Sequence, residues 1–387
     1  MIVYDKTTLQ NKALLDEAQS LQKAGFIALE QYQSFEKKLI VLKTHDNLLI
    51  RALFFILGAF LYSSLCGFVT LTTLETLNEN YEYLVFFFAL IGFVGAEILA
   101  QSKFYGHGLD DAFILGSQLT FAFAIGIASN SNELLIAALV TITAVLSYLR
   151  YLHLSMALLF CMAFTATLIF GILELDESIH PFLPFLMMSF AAALYFGSKT
   201  TMQKLTAPFY LNGLLLAKNF ALILFYFSGN YLVVRELSIQ LLQQDVKPGT
   251  DIPFALLFYA FTFIVPAAFL FFALVKKDRI LLWIGLLTLC FSVYTIRFYY
   301  AIMPIEIALT IWGALIFALT LIAIKKLKNK ETGITFQPDR FTKTNAFLNA
   351  EILIASQMGG IKPEVTIESP MDFGGGGFSG GGSDGSF

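Results

Sequence analysis

Apolar residues run through the middle of this chain in long unbroken stretches, and polar residues gather at their ends. A helix needs about 20 apolar residues to cross roughly 30 Å of hydrocarbon. Ten stretches meet that length: 48–72, 82–101, 111–129, 132–149, 152–173, 181–198, 208–229, 252–275, 279–296 and 303–324. They are too continuous and too long for the strands of a membrane barrel, and in lipid a helix satisfies its own backbone. The expected fold is therefore all-α, a polytopic membrane helix bundle of about ten transmembrane helices filling residues 48–324.

The flanks follow another pattern. Residues 1–47 predict a helical hairpin, with two short helices inside 7–43 and a break at "KAGFIALEQ". Thr8 is the expected cap of the first helix, and Gly25 suits its C-terminal turn. Leu14, Ala18 and Leu21 make one apolar stripe, and Leu29, Tyr32, Phe35 and Leu39 another. The hairpin either packs on itself as it leads into the first span or docks a protein partner. Between the seventh and eighth spans, "GNYLVVRELSIQLLQQDVKPGTD" carries Leu237, Leu241 and Leu242 among polar residues, which predicts an amphipathic helix at the membrane surface. Residues 325–360 open with the basic run "IKKLKNK", a stop anchor that also suits anionic headgroups, and continue into a short helix over 343–358. Residues 361–387 form a glycine-rich tail that cannot offset its ordering entropy, so disorder is expected. Phe373, Phe378 and Phe387 argue against an engineered linker and leave open an aromatic-ended peptide held by a partner through its carboxylate.

Composition agrees with a bilayer as solvent. Of 387 residues, 57% are hydrophobic and 14% charged, against about 25% charged in soluble domains. The 41 phenylalanines suit lipid-facing and helix-packing surfaces, and the net charge of −3 says less than its distribution. With a cytoplasmic N-terminus, the inner segments hold Lys37, Lys38, Lys43, Arg51, Lys103, Arg150, Lys199, Lys204, Lys276, Lys277, Arg279, Lys325, Lys326, Lys328 and Lys330. The outer ones hold only Arg235, Lys247 and Arg297. The positive-inside rule then predicts both termini in the cytoplasm of a multi-pass protein of a bacterial inner membrane. The first residues are polar, so no cleavable signal peptide is expected and the first span directs insertion.

Catalytic and metal-binding patterns are not found in the sequence. Cys66, Cys161 and Cys290 lie singly in apolar runs and suggest neither disulfide nor metal. "YGHGLDDAF" differs by one residue from the GxGD spacing of intramembrane aspartyl proteases, and Asp110 or Asp111 is better read as a cap on the third span. His45, His107, His153 and His180 fall near span ends, a poor place for a rhomboid-type serine–histidine site. The tail glycines follow no strand and precede no helix, so they are no phosphate loop. The expectation is no enzyme, no cofactor, no metal and no nucleic-acid partner; the lipid bilayer is the certain one.

Ionisable groups inside spans are functional candidates by default. Lys218 lies about ten residues into the seventh span, or about 15 Å. Glu97 falls one turn before the end of the second span, and Gln118 seven residues into the third. Glu97, Gln118, Lys218 and Asn219 could share one layer of the cytoplasmic half and line a polar pocket, a Lys–Glu pair lowering the cost of burial. The alternative for Lys218 is a shift of register that lets its amine snorkel. Across the membrane, Arg297 and Glu306 bracket the ninth-to-tenth turn, where Pro304 suits the first helical turn and Glu306 its positive end. They form either a structural ion pair or an outer anion site.

Several stretches, "GNYLVVREL", "KKDRILLWIGLL", "IRFYYAIMPIEIALTIWG", "GITFQPD" and the glycine tail ending in phenylalanine, resemble a bacterial family of multi-spanning membrane proteins, a domain of unknown function. The resemblance covers most of the chain and implies a short cytoplasmic helical hairpin at the N-terminus. It brings no catalytic residues. Two functions stay open: a small-solute or ion-coupled transporter, for which two five-helix halves would be oppositely oriented, or a non-transporting scaffold or sensor that binds partners through its cytoplasmic ends. Pro266 in "FIVPAAF" is the best candidate for an interrupted span, and residues 48–173 and 181–324 show no convincing internal similarity.

Overall fold

A computed structural model describes residues 2–23, 25–45, 47–73, 81–205, 208–240 and 251–299, with scattered positions between 307 and 325. The chain divides into two units, Met1–Arg340 and Phe341–Phe387. The second unit, with the helix expected over 343–358 and the glycine tail, lies outside the described residues.

The helices of the described residues run in this order: α1 (Lys6–Lys23), α2 (Leu29–Lys38), α3 (Leu48–Thr73), α4 (Tyr81–Gln101), α5 (Leu109–Ala128) and α6 (Glu133–Tyr151) come first. Then come α7 (Leu154–Leu173), α8 (Leu183–Lys204), α9 (Leu211–Gly229), α10 (Tyr231–Gln240), α11 (Ala255–Lys276) and α12 (Arg279–Tyr299). Among the described residues, 9 helices are long and apolar enough to cross a membrane: α3 to α9, α11 and α12. The protein is an all-α polytopic membrane bundle, its spans lying where the apolar runs placed them, to within a few residues. At the tenth expected span, Ile307, Thr310, Phe317 and the other described positions are helical.

Local chemistry sets the ends. Asn132 caps α6 by accepting the Leu135 amide at 2.8 Å, after a turn in which Asn130 and Ser131 take φ of 51° and 62°. Asp278 caps α12 through the amides of Ile280 and Leu281, at 3.0 and 3.2 Å. Such side-chain acceptors satisfy amides that a helix start leaves unpaired. In the hairpin, Gly25 takes φ of 78° beyond α1, as expected. The cap is not Thr8, however. The helix begins two residues earlier, Asp5 accepts the Thr7 amide at 3.4 Å, and the buried Thr8 hydroxyl donates to the Asp5 carbonyl at 2.8 Å.

Two groups of helices make the bundle. In the first, α3 and α4 pack on α5, and α6 packs on α5 and α7; in the second, α8 lies along α9 while α11 and α12 pack together and against α9. Contacts of α7 with α9 join them. Small residues let backbones approach in the absence of a hydrophobic drive between helices in lipid. A Cβ at Gly92 would stand 2.7 Å from that of Ser117, and one at Gly58 2.8 Å from that of Ala112. Phe60, Phe123 and Leu256 are exposed outward, as a lipid-facing surface requires.

The hairpin is fastened at both ends to the face rich in lysine and arginine, the basic face. The Val3 amide donates to the Arg150 carbonyl at 3.1 Å, and the Tyr4 hydroxyl to that of Phe104 at 3.0 Å. Past α2, Lys43 forms a parallel bridge with Phe104: its amide donates to Lys103 at 2.8 Å, and its carbonyl accepts from Tyr105 at 3.1 Å.

Candidate functional site

The loop "SKFYGHG" before α5 turns through left-handed conformations at Lys103, Gly106 and Gly108. At Gly108, with φ of 109°, a Cβ would lie 2.3 Å from the Arg51 carbonyl. Glycine there lets α3 and α5 meet. Asp110, in the first turn of α5, accepts the amides of Gly106, His107 and Gly108 at 2.6, 2.9 and 3.1 Å. Its carboxylate stitches the loop; the cap expected from Asp110 or Asp111 is not formed, because the helix starts before both and Gly108 stands at its N-cap.

Asp111 does something else. Its buried carboxylate accepts from Arg51 Nε of α3 at 2.5 Å and bonds His153 Nε2, the residue ahead of α7. His153 Nδ1 meets the Ser155 hydroxyl at 2.5 Å. A carboxylate only accepts, so Nε2 donates to Asp111. The chain of groups ties α3 and α5 to the start of α7. Beside it, His45 stacks on Phe54 with ring centres 4.9 Å apart and stands 4.2 Å from His107. His45 Nε2 and His107 Nδ1 are buried without a hydrogen-bond partner. Burial, then the neighbouring His45, holds the His107 pKa below its ordinary value.

The four residues expected to share a pocket find separate surroundings. Glu97, near the end of α4, accepts from Arg150 Nη2 at 2.6 Å, bonds Arg150 Nε as well, and accepts from the Tyr151 hydroxyl at 2.6 Å. Gln118 donates to Ser147 of α6 at 2.8 Å, and its buried Oε1 has no hydrogen-bond partner. Lys218 stands 4.0 Å from Asp278, in the turn between α11 and α12. The pairing of Lys218 with Glu97 is thus replaced by two others. The reason is register: α9 starts at Leu211, which puts Lys218 roughly 10 Å from the basic face, within reach of the loop carboxylate. Asn219, beside it, is half-buried. Arg297 lies half-buried in the last turn of α12, and Glu306 lies outside the described residues.

Sequence reasoning missed a second polar cluster, in the other group of helices. Pro266 lies inside α11 and has no N–H to return to the Thr262 carbonyl. Ser292 of α12 donates to that carbonyl at 2.6 Å. Tyr226 of α9 meets Ser292 at 2.8 Å, and Asn230 donates to Tyr226 at 2.9 Å and to Thr295 at 3.2 Å. The Asn230 carbonyl oxygen accepts the Leu232 and Val233 amides at 3.0 and 3.3 Å, and the Tyr231 amide donates to Thr262 Oγ1 at 3.0 Å. Asn230 therefore sits in the break between α9 and α10 and serves both. Tyr226, Asn230, Thr262, Ser292 and Thr295 are all fully buried. Thr262 and Ser292 are each seven residues from the ends of their helices, roughly 10 Å below the face opposite the basic one. Pro266 was the part of it that the sequence had singled out, and Asn230 in "GNYL", a strong cap former ahead of the expected amphipathic helix, was a second legible sign.

That helix is α10, which buries Tyr231, Val234 and Ser238; Leu237 is exposed, and Leu241 and Leu242 lie outside the described residues. Next to it a cavity of about 110 Å³, partly open to the outside, lies between α7, α8, α9, α10 and α11, lined by Met187, Leu224, Phe227, Val234 and Phe258 among others. Comparison with protein-family models, curated proteins and solved structures finds no match.

Proposed function

We propose that the protein is a small-solute transporter, and that its working part is the group α8–α12. The observation that carries the reading is a single buried network shared by the proline inside one span and the break that follows another. The ladder of α11 is broken at Pro266, and α9 gives way to α10 at Asn230, with one buried hydrogen-bond network serving both. Irregular backbone at membrane depth is tolerated where protein or a cavity satisfies it, and transporters place their sites at such interruptions. The site then belongs near the face opposite the basic one rather than in the basic-face layer of Glu97, Gln118, Lys218 and Asn219. The same reading puts the chain in a bacterial inner membrane with both termini in the cytoplasm, within the family that its "GNYLVVREL" and "KKDRILLWIGLL" stretches resemble.

The test is access. Thr295→Cys, in a chain with Cys66, Cys161 and Cys290 changed to alanine, is reconstituted in sealed vesicles and treated with an impermeant thiol reagent on each side. Labelling from both sides is the expected result. Labelling from one side only, or from neither, removes transport.

A non-transporting scaffold is the second reading. It is favoured by the fastening of the hairpin at Val3, Tyr4 and Lys43, which would present α1 and α2 as a fixed surface to a protein partner.

A further inference from the structure

We infer that the cavity between α7 and α11 binds one acyl chain of a membrane lipid, taken from the leaflet of the face opposite the basic one. Movement of the bound lipid across the membrane rests on the transporter reading, whereas occupancy itself needs no transport. Among the described residues, the lining holds no aspartate, glutamate, lysine or arginine. Its polar side chains are engaged by their own surroundings. Ser228 donates to the Leu224 carbonyl at 2.7 Å and Ser238 to that of Val234 at 2.7 Å, while His180 Nε2 lies 3.3 Å from the carbonyl of Leu173. A sugar, an amino acid or an ion entering here would give up its water without recovering comparable partners. An alkyl chain gives up nothing.

An empty apolar space also forfeits the contacts its walls would make, and a chain of methylenes restores them. The medium supplies such a chain at this depth, because Ile169, Met187, Leu224, Phe227 and Phe258 of the walls belong to membrane-spanning helices. His180, Pro181, Ile252 and Pro253 line the cavity at the loop end, before α8 and α11. The headgroup would therefore remain at the surface while the chain enters. One wall is α10, through Val233, Val234 and Leu237, and α10 joins α9 at Asn230. A movement about that residue would widen or narrow the site.

The experiment uses the full chain in vesicles of phosphatidylethanolamine and phosphatidylglycerol, with a trace of phosphatidylethanolamine bearing a diazirine in one sixteen-carbon chain (probe lengths chosen on the order of a leaflet's depth). After irradiation, adducts are mapped by mass spectrometry. Adducts within residues 224–238 should exceed those at the lipid-facing Phe60 and Phe123 by about tenfold, a ratio corresponding to preferential occupancy. They should fall to the level of those controls in Val234→Trp, and also in Leu224→Trp should the first variant fail to fold. Equal labelling of cavity and controls, or cavity labelling unchanged in the filled variants, overturns the inference. A parallel arm with diazirine palmitate separates the sources: stronger cavity labelling by the free acid than by the phospholipid overturns the lipid assignment. Cavity adducts without two-sided access at position 295 would remove transport and leave the lipid site. Two-sided access without cavity adducts would do the reverse.

Discussion

The two ends of the bundle keep polar groups among apolar helices by different means. On the basic face the groups are charged, and each pair keeps one foot in water. The side chains of Arg51 and Arg150 are 38% and 39% exposed, while their partners Asp111 and Glu97 are 7% and 15% exposed. The long cations reach the surface and carry the carboxylates' charge there, which lowers the cost of burying the latter. On the opposite side the network is neutral and fully buried: tyrosine, asparagine, serine and threonine pass hydrogen bonds to a carbonyl that Pro266 leaves free. Neutral groups need no countercharge and can exchange partners at modest cost. The first arrangement suits a fixed frame and the second a joint.

Substitution tests this contrast, and the largest effect should come from the frame. Asp111→Asn keeps the shape of the side chain but leaves Arg51 without its carboxylate and weakens the hold on His153. A loss of about 3 kcal/mol in unfolding free energy is expected, as for a broken buried ion pair, read by chemical denaturation in detergent. An unchanged midpoint would mean that the pair is incidental. Asn230→Ala removes the start of α10 and the donor to Tyr226; about 2 kcal/mol should be lost. If the joint reading holds, hydrogen exchange should rise across 231–240 before it rises in α3–α7. Equal rises in both groups would dissolve the distinction.

Acid should act on the frame as well. Because the fold favours neutral His107, the unfolded chain binds more protons below the ordinary histidine value of 6.5. This contribution to stability is complete above that pH and is lost as pH falls below it. The protection factors of the Lys43 and Tyr105 amides should therefore fall on acidification, and His107→Phe should flatten the response. A response surviving in that variant would assign it to another group. The smallest effect belongs to Lys218→Met. A pair at 4.0 Å with Asp278 36% exposed should contribute about 0–0.5 kcal/mol; a loss above about 2 kcal/mol would restore the midplane role that depth alone suggested.

The spans were legible because one solvent imposes one rule, about 20 apolar residues per crossing. Partners were less so. Arg150 entered the sequence reading as a topological marker, although it stands at the same face as Glu97 and was available to it. Lys218 had two readings, and a helix start at Leu211 rather than 208 shifts it by about one turn toward the register-shift alternative, within reach of Asp278. "YGHGLDDAF" drew attention to Asp111, yet nothing in sequence links it to His153 across the intervening helices. The neutral network was least visible, since serine and threonine inside apolar runs barely change hydropathy, and only the break at Asn230 and Pro266 hinted that their positions mattered.

The carbonyl that Pro266 releases has a consequence for sliding. Thr288, Ser292 and Thr295 occupy neighbouring turns on one buried face of α12, like rungs. A displacement of α12 along α11 by one turn, about 5.4 Å, would withdraw Ser292 and offer another hydroxyl to the same oxygen. That oxygen thus has three buried hydroxyls of α12 within about two turns of it, of which Ser292 is the one that reaches it.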